Sequence, residues 1–236
     1  MSIKDKIRFY RTRQAFQQAG GVVSELMPIY KDYRKQAGTA TGHYFHQDLL
    51  VAGYVHKANP KRHIDIGSSI EGFVAHVASF RRIEVCDVRA LADTGHPNIS
   101  FTQLDLMDSA KVEANVCDSL SCLHAIEHFG LGRYGDPINP NGHIDGFKNI
   151  LKMLSADGTL YISFPIGNVD KVVFNAHRVF GPKSILGWQS DVALEIVKFS
   201  YVDDAGNLHR EVEMDAVPSN LQYGCGIYSI VKSRAQ

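Results

Sequence analysis

The sequence predicts an α/β domain with a seven-stranded, mostly parallel sheet, an antiparallel last strand, helices on both faces and an N-terminal helical extension. Three observations predict it. From residue 60, short apolar runs alternate with segments of helical periodicity, the pattern of a parallel sheet with crossover helices. The first run ends in the small residues Gly67-Ser68-Ser69, as a tight strand-to-helix turn requires. Near the C-terminus two apolar runs, 194–203 and 225–233, have no obvious long helix between them, and a turn at 203–207 closes the first, which predicts an antiparallel edge.

Taken in order, residues 2–36 read as helical with a break at Gly20-Gly21, although Ile3, Ile7 and Tyr10 make only a thin apolar stripe. A loop at 38–42 precedes a helix over 43–58 that stops at Asn59-Pro60. The run RHIDIGSS is the first strand, and EGFVAHVASF follows with Phe73, Val77 and Phe80 on one helical face. RIEVCDVR and ISFTQLDL are the second and third strands, and DSLSCLHAIEHF begins as the fourth. HIDGFKNILKMLSADG is a helix with Phe147, Ile150, Leu151 and Leu154 on one face and Gly158 as its C-terminal stop. TLYISFPIG is the fifth strand. The expected organisation is a helical extension or lid over 1–58 and a ligand-binding domain over 59–236.

Composition narrows the function classes. No apolar run reaches the roughly 18 residues of a membrane helix, and the N-terminus lacks the apolar core of a secretory signal. Four cysteines without a CxxC pair fit a reducing compartment, so a cytoplasmic location is expected. Twenty-five basic residues balance 25 acidic ones, which argues against nucleic acid as the main partner. Residues 1–35 hold eight basic and three acidic side chains, a surplus suited to a solvated face or to peripheral association with an anionic surface.

The strand-end residues carry a resemblance. The segment DIGSSIEG at 65–72, the acids Asp87 and Asp105 after the second and third strands, CLHAIEHF at 122–129 and LKMLSADGTLYISFP resemble the motifs of class I S-adenosylmethionine (SAM) dependent methyltransferases, which have a Rossmann-like fold. The likeness spans about residues 60–232. GHYFHQDLLVA, DIGSSIEGFVAHVASFR and GLGRYGDPINP are closer still to a methyltransferase-like family of bacterial surface-glycan gene clusters. The resemblance implies SAM as cofactor and O-methylation of a sugar or glycan intermediate. Ser69 stands where the superfamily's GxGxG has its second glycine, which leaves a second reading: a non-catalytic SAM- or substrate-binding partner in glycan assembly. An NAD(P)-dependent enzyme shares the glycine loop and the acid after the second strand.

The residue types suit that chemistry. Gly67 and Gly72 bracket a loop that lets a ligand approach the backbone, with Ser68 between them. Asp65 suits the cationic amino group of SAM's methionine part. Asp87 suits two ribose hydroxyls, and Asp105 suits the adenine amine. His124 would pack beside the cofactor, while His128, with Glu127 next to it, is the expected base. His177, after the fifth strand, is a second candidate at the same pocket edge. His46 and Gln47 in the lid and Arg133, Tyr134 and Asp136 in the long loop 130–142 are expected to contact a hydroxyl-rich acceptor. No metal site is predicted, because HAIEH is not the HExxH zinc signature. A divalent ion held by His124, Glu127, His128 or His177 stays open only by analogy with metal-using O-methyltransferases.

Overall fold

The computed structural model describes residues 2–188 and 192–232; residue 1 and residues 233–236, the ends of the expected lid and domain, lie outside the described residues. The chain divides into two compact units, Met1–Ala40 and Thr41–Gln236, so the division falls between Ala40 and Thr41 rather than after residue 58.

The first unit contains helix α1 (Ile3–Gln18), whose first turn is closed by a capping box: Ser2 accepts from the Asp5 amide while Asp5 accepts from the Ser2 amide. Asp5 is buried and ion-paired with Arg34, and the Tyr33 hydroxyl donates to it at 3.2 Å. The Arg8 guanidinium lies 3.3 Å from the centre of the Tyr33 ring. The chain breaks at Gly20 (φ +92°) as expected, but the helical stretch expected beyond the break, as far as residue 36, is replaced by irregular chain and one 3-10 turn, Asp32–Arg34. Gly20-Gly21 ends the first helix and Pro28 blocks a second.

The second unit begins with α2 (His43–Ala58), which ends on Asn59 in the left-handed conformation. Strands β1 (His63–Ile66), β2 (Ile83–Asp87), β3 (Ile99–Gln103), β4 (Cys117–Leu123) and β5 (Leu154–Ile166) are mutually parallel in the sheet. A π-turn, Ile70–Val74, leads into the short α3 (Ala75–Ala78) after β1, and α4 (Gly142–Met153) precedes β5. A small hairpin, β6 (Lys171–Val173) with β7 (His177–Val179), follows β5. Strands β8 (Leu194–Val202), β9 (Leu208–His209) and β10 (Gly224–Lys232) complete the domain. The sheet order is β3-β2-β1-β4-β5-β10-β8-β9.

The last strand is antiparallel, as expected, but it is not at the edge. β10 inserts between β5 and β8 and pairs antiparallel with both. Its first seven residues are all buried, the burial of an interior strand, while β8 alternates over its first half and takes two-residue β9 as its outer neighbour.

Each face of the sheet has its own core. On one, Val51 and Val55 of α2 and Phe73 and Val77 pack over Val85, Leu123, Tyr161 and Ile227. On the other, Phe147, Ile150 and Leu151 of α4 pack with Leu120, Ile162, Phe164, Trp188 and Tyr228. Each fully buried side chain of this size contributes about 1.5–3 kcal/mol relative to exposure. The helix expected to run to Gly158 stops at Met153, because Leu154 is extended and already pairs with Cys117 of β4. Among the described residues no helix follows β2 or β3; residues 88–98 and 104–116 connect the strands as turns and extended chain. No helix of the described residues is long and apolar enough to cross a membrane.

Candidate functional site

The carboxyl ends of β1, β2 and β4 open on a cleft bordered by Gly67, Asp87, Leu104, Asp105, Met107, His124, His128 and Tyr134, among others. It continues into a more open and more polar region reaching Ser68, Ser69, Tyr44, His177 and Tyr223. Ligands of parallel sheets lie beyond these strand ends.

Gly67 adopts φ +66°, and a Cβ there would stand 3.1 Å from Ala125, so the turn after β1 needs glycine at this position. Asp87 ends β2 and is held by Arg89: Nη2 donates to Oδ2 at 2.6 Å, and Nε and the Arg89 amide donate to Oδ1 at 3.0 and 2.8 Å. Arg89 also lies 4.3 Å over the Tyr134 ring. Asp105 accepts from the Met107 amide at 2.9 Å and borders an apolar slot with Leu104, Leu106, Met107 and Phe129.

At the end of β4 the chain turns sharply, with His124 at φ +52° and its amide donating to the Ser163 carbonyl at 3.0 Å. The His124 side chain is buried; Nδ1 is 2.8 Å from Glu127 Oε1 and Nε2 is 3.1 Å from His43 Nδ1. Burial opposes charge on His124, but Cys225 and Glu127 outweigh it and hold its pKa well above the usual histidine range. Burial, followed by His124 itself, pushes His43 down to about 4. Glu127 is 1% exposed, and its second oxygen, Oε2, has no hydrogen-bond partner among the described residues.

His128 is half-buried. Its Nδ1 donates to the Ala176 carbonyl at 2.7 Å, which leaves Nε2 with a free lone pair in the neutral ring, 3.6 Å from Glu127 Oε1. Burial lowers the pKa of His128 and, more weakly opposed by neighbours, that of the more exposed His177. Arg178 of β7, 4% exposed, ties the loop after β4 in place: Nη1 donates to the Phe129 carbonyl at 2.6 Å and Nη2 to that of Pro140 at 3.1 Å.

Residues 79–204 match the family described as "Caenorhabditis protein of unknown function, DUF268". The chain belongs to the DUF268 family. No curated protein matches it in sequence. Among solved structures, the DUF268 chain is similar to the [4+2]-cyclase SpnF at a TM-score of 0.58 and 13% identity, covering 98% of this chain and 96% of that one. It is similar to the N-methyltransferase NodS from Bradyrhizobium japonicum WM9, in complex with S-adenosyl-L-homocysteine, at 0.52 and 12%, covering 93% and 98%. A third likeness is to the Burkholderia thailandensis 1,6-didemethyltoxoflavin-N1-methyltransferase, at 0.52 and 11%, covering 99% and 92%. At these identities the likeness shows the fold, which is the Rossmann-like fold of class I SAM-dependent methyltransferases.

The cleft of the DUF268 chain brings together Gly67, Ser68, Asp87, Asp105, His124, His128, Arg133, Tyr134, Asp136 and His177 of the residues expected there. Others are placed elsewhere. Asp65 is fully buried and accepts from the Ser68 amide at 3.0 Å and from the hydroxyls of Ser68 and Ser121 at 2.6 and 2.5 Å. Burial raises it to about 6, and it holds the turn from beneath rather than bordering the cleft. Gly72 also serves packing, since a Cβ there would stand 2.2 Å from Asp48 Oδ2 of α2. Gln47 is 1% exposed, accepts from the Ser163 hydroxyl at 2.7 Å and donates to Asp48 at 3.2 Å, so it is a core bridge and not an acceptor contact. His46 borders a separate groove with Leu49, Tyr54 and Lys198. Asp136 touches the cleft, but its oxygens accept from the amides of Gly130, Gly132 and Tyr134 at 2.8, 3.2 and 3.1 Å, which shapes the loop.

His43, expected in the lid beside His46, lies next to His124 instead of only covering the cleft, while sequence reasoning missed Tyr44, Arg89, Arg178, Tyr223 and Cys225. For the inward placement of His43 and Tyr44 a signal existed. The apolar residues Leu50, Val51 and Val55 fix the inward face of α2; followed back one turn it contains Gln47 and Asp48, and back two turns it reaches His43 and Tyr44.

Proposed function

We propose that the DUF268 chain binds SAM in the cleft and methylates an oxygen of a sugar or surface-glycan intermediate. The observation that carries the cofactor half is the apolar slot of Leu104, Leu106, Met107 and Phe129 with Asp105 beside it and Asp87 at the neighbouring strand end. The residues fit the group. The slot suits an adenine ring, Asp105 its exocyclic amine and Asp87 the ribose hydroxyls, while the turn at Gly67-Ser68 leaves the backbone open to the methionine part. The bound SAM of two similar enzymes is known in its demethylated form, S-adenosylhomocysteine, which supports the same occupant here. Bound there, SAM supplies an activated methyl group. His128 holds the lone pair of Nε2 ready for the hydroxyl proton, and the nearby Glu127 stabilises the imidazolium that results. His177, Arg133 and Tyr134 border the open end where a polar acceptor would sit.

A second reading is binding without methyl transfer. It is favoured by the Asp87–Arg89 pairing, which already engages both oxygens of the ribose acid, and by the similarity to a fold member named as a cyclase. Calorimetry with SAM followed by methyl-release measurements on nucleotide sugars and lipid-linked glycans separates the two. Binding with release supports the first, binding without release across the panel supports the second, and absence of binding refutes both.

A further inference from the structure

We propose that His43, His124 and Cys225 form a metal site that takes a borderline-soft divalent cation, Zn²⁺ above all. Each residue offers one donor atom, Nδ1, Nε2 and Sγ respectively, and the three atoms lie within 4.8 Å of one another. They come from three distant parts of the chain, and each part is separately anchored. The start of α2 is pinned by the Gly42 amide and the Thr41 hydroxyl donating to the Gly206 carbonyl at 3.0 and 2.7 Å. The approach to β10 is pinned by the amides of Gln222 and Tyr223 donating to Asp204 at 3.0 and 2.7 Å. His124 sits at the strained end of β4.

The separation of the two histidine nitrogens fits a tetrahedral ion, and the sulfur, within 4.8 Å of both, closes on it by a side-chain adjustment. Zn–N bonds of about 2.05 Å and a Zn–S bond of about 2.3 Å give edges of about 3.3 Å between nitrogens and about 3.6 Å between nitrogen and sulfur. The two histidine nitrogens are 3.1 Å apart. Two imidazoles and a thiolate are a donor set that Zn²⁺ takes and that Mg²⁺ or Ca²⁺ does not. The surroundings are those of a metal-bound histidine: Glu127 Oε1 is 2.8 Å from the far nitrogen of His124, the carboxylate–histidine–metal arrangement that fixes the ring and its tautomer. A dication, the Cys225 thiolate and the Glu127 carboxylate sum to zero charge, so the loaded site places no net charge in the buried layer. Among the described residues the cluster has three donors; a water or an acceptor oxygen reaching past His124, which borders the cleft, completes the shell.

This set shares only His124 with the donors considered from sequence, because Cys225 and His43 are far from it along the chain. The competing account is a plain hydrogen bond between the two histidines beside a neutral thiol, and it needs no metal.

The test uses the full chain without a histidine tag, purified without chelator. Elemental analysis is expected to find about one zinc per chain. Replacement by Co²⁺ is expected to give the sulfur-to-cobalt charge-transfer band and the intense visible bands of a tetrahedral thiolate site. Cys225→Ala and His43→Gln should each abolish that spectrum, and Glu127→Gln should weaken zinc binding about 10- to 100-fold. A wild-type chain that retains no zinc and gives no charge-transfer band with Co²⁺ overturns the proposal, as does a Cys225→Ala chain with the band intact. Should the variants fail to fold, the wild-type cobalt spectrum decides alone. None of these readouts depends on methyl transfer, so the site can fail or stand independently of the enzyme assignment.

Discussion

Replacing Asp87 by alanine tests the cofactor half of the cleft. The side chain is 16% exposed and its partner Arg89 is 51% exposed, so the ion pair between them belongs to the surface class, worth about 0–1 kcal/mol. The fold should survive with a small change in melting temperature. Binding should not survive as well. Two ribose hydroxyls donating to an ionised carboxylate make charge-assisted bonds of about 1.5–3 kcal/mol each. Arg89 already draws on both oxygens, so each bond is worth less, about 1–2 kcal/mol, and the sum is about 2–4 kcal/mol. That loss corresponds to about a 30- to 900-fold rise in Kd for SAM. Calorimetry on Asp87→Ala, with circular dichroism to establish folding, measures it. Arg89→Ala is the companion: it frees the carboxylate, and its affinity should equal or exceed that of the unaltered chain. A folded Asp87→Ala chain with unchanged SAM affinity refutes the placement of ribose at β2.

His128→Ala should lower turnover by about 10²- to 10⁴-fold with little change in SAM affinity, and His128→Gln should be nearly as slow, because glutamine restores a hydrogen bond but no base. The base must be unprotonated, and burial lowers the pKa of His128, so turnover should stay flat down to the ordinary histidine range and fall only below it; an acid limb above pH 6.5 contradicts this. Arg178→Ala leaves the carbonyls of Phe129 and Pro140 without their buried donor, which should cost about 3 kcal/mol and about 6–12 °C in melting temperature by calorimetric scan. Gly72→Ala displaces the buried Asp48 carboxylate from its place against the turn after β1, and should cost about 1–3 kcal/mol by denaturant titration.

The alternation of strands and helices was legible because parallel strands buried on both faces read as short apolar blocks, and β1, β2, β4 and β5 are such blocks. α2 was legible over its full span because glycine precedes it and Asn59-Pro60 ends it. The end of α4 was not, because KMLS continues a good helical pattern and only the pairing of Leu154 with Cys117, a contact 37 residues away in sequence, pulls the chain into β5. The position of β10 between β5 and β8 is likewise a matter of long-range pairing. In the site, residues at strand ends were legible because topology alone carries them to the cleft, as with Asp87, Asp105 and His124. Residues whose placement depends on helix phase were not: His46 and Gln47 point to a groove and to the core, while His43 and Tyr44 meet His124. Asp136 reaches the cleft and Asp65 lies beneath it, and both spend their lone pairs on the backbone amides of their own loops or on neighbouring hydroxyls.

The turn after β1 explains how this chain dispenses with a second glycine. Of Gly67, Ser68 and Ser69, only Gly67 has left-handed backbone, so only there is a side chain excluded by conformation. The two serines add contacts that glycine could not. The Ser68 hydroxyl donates to Asp65 at 2.6 Å and accepts from the Leu123 amide at 3.1 Å, which locks the turn to the end of β4. The Ser69 hydroxyl accepts from the Gly72 amide at 3.2 Å and caps the π-turn that begins one residue later. Asp65 beneath them takes three hydrogen bonds from Ser68 and Ser121, so the turn rests on a buried polar layer whose acid is pushed up to about 6. Backbone freedom has been exchanged for side-chain hydrogen bonds, and the turn is preorganised rather than adaptable. A preorganised turn loses less entropy when a ligand settles against it. The departure from GxGxG is therefore compatible with tight binding of a ligand at Gly67, and the serines give no ground for reading the loop as a degenerate one.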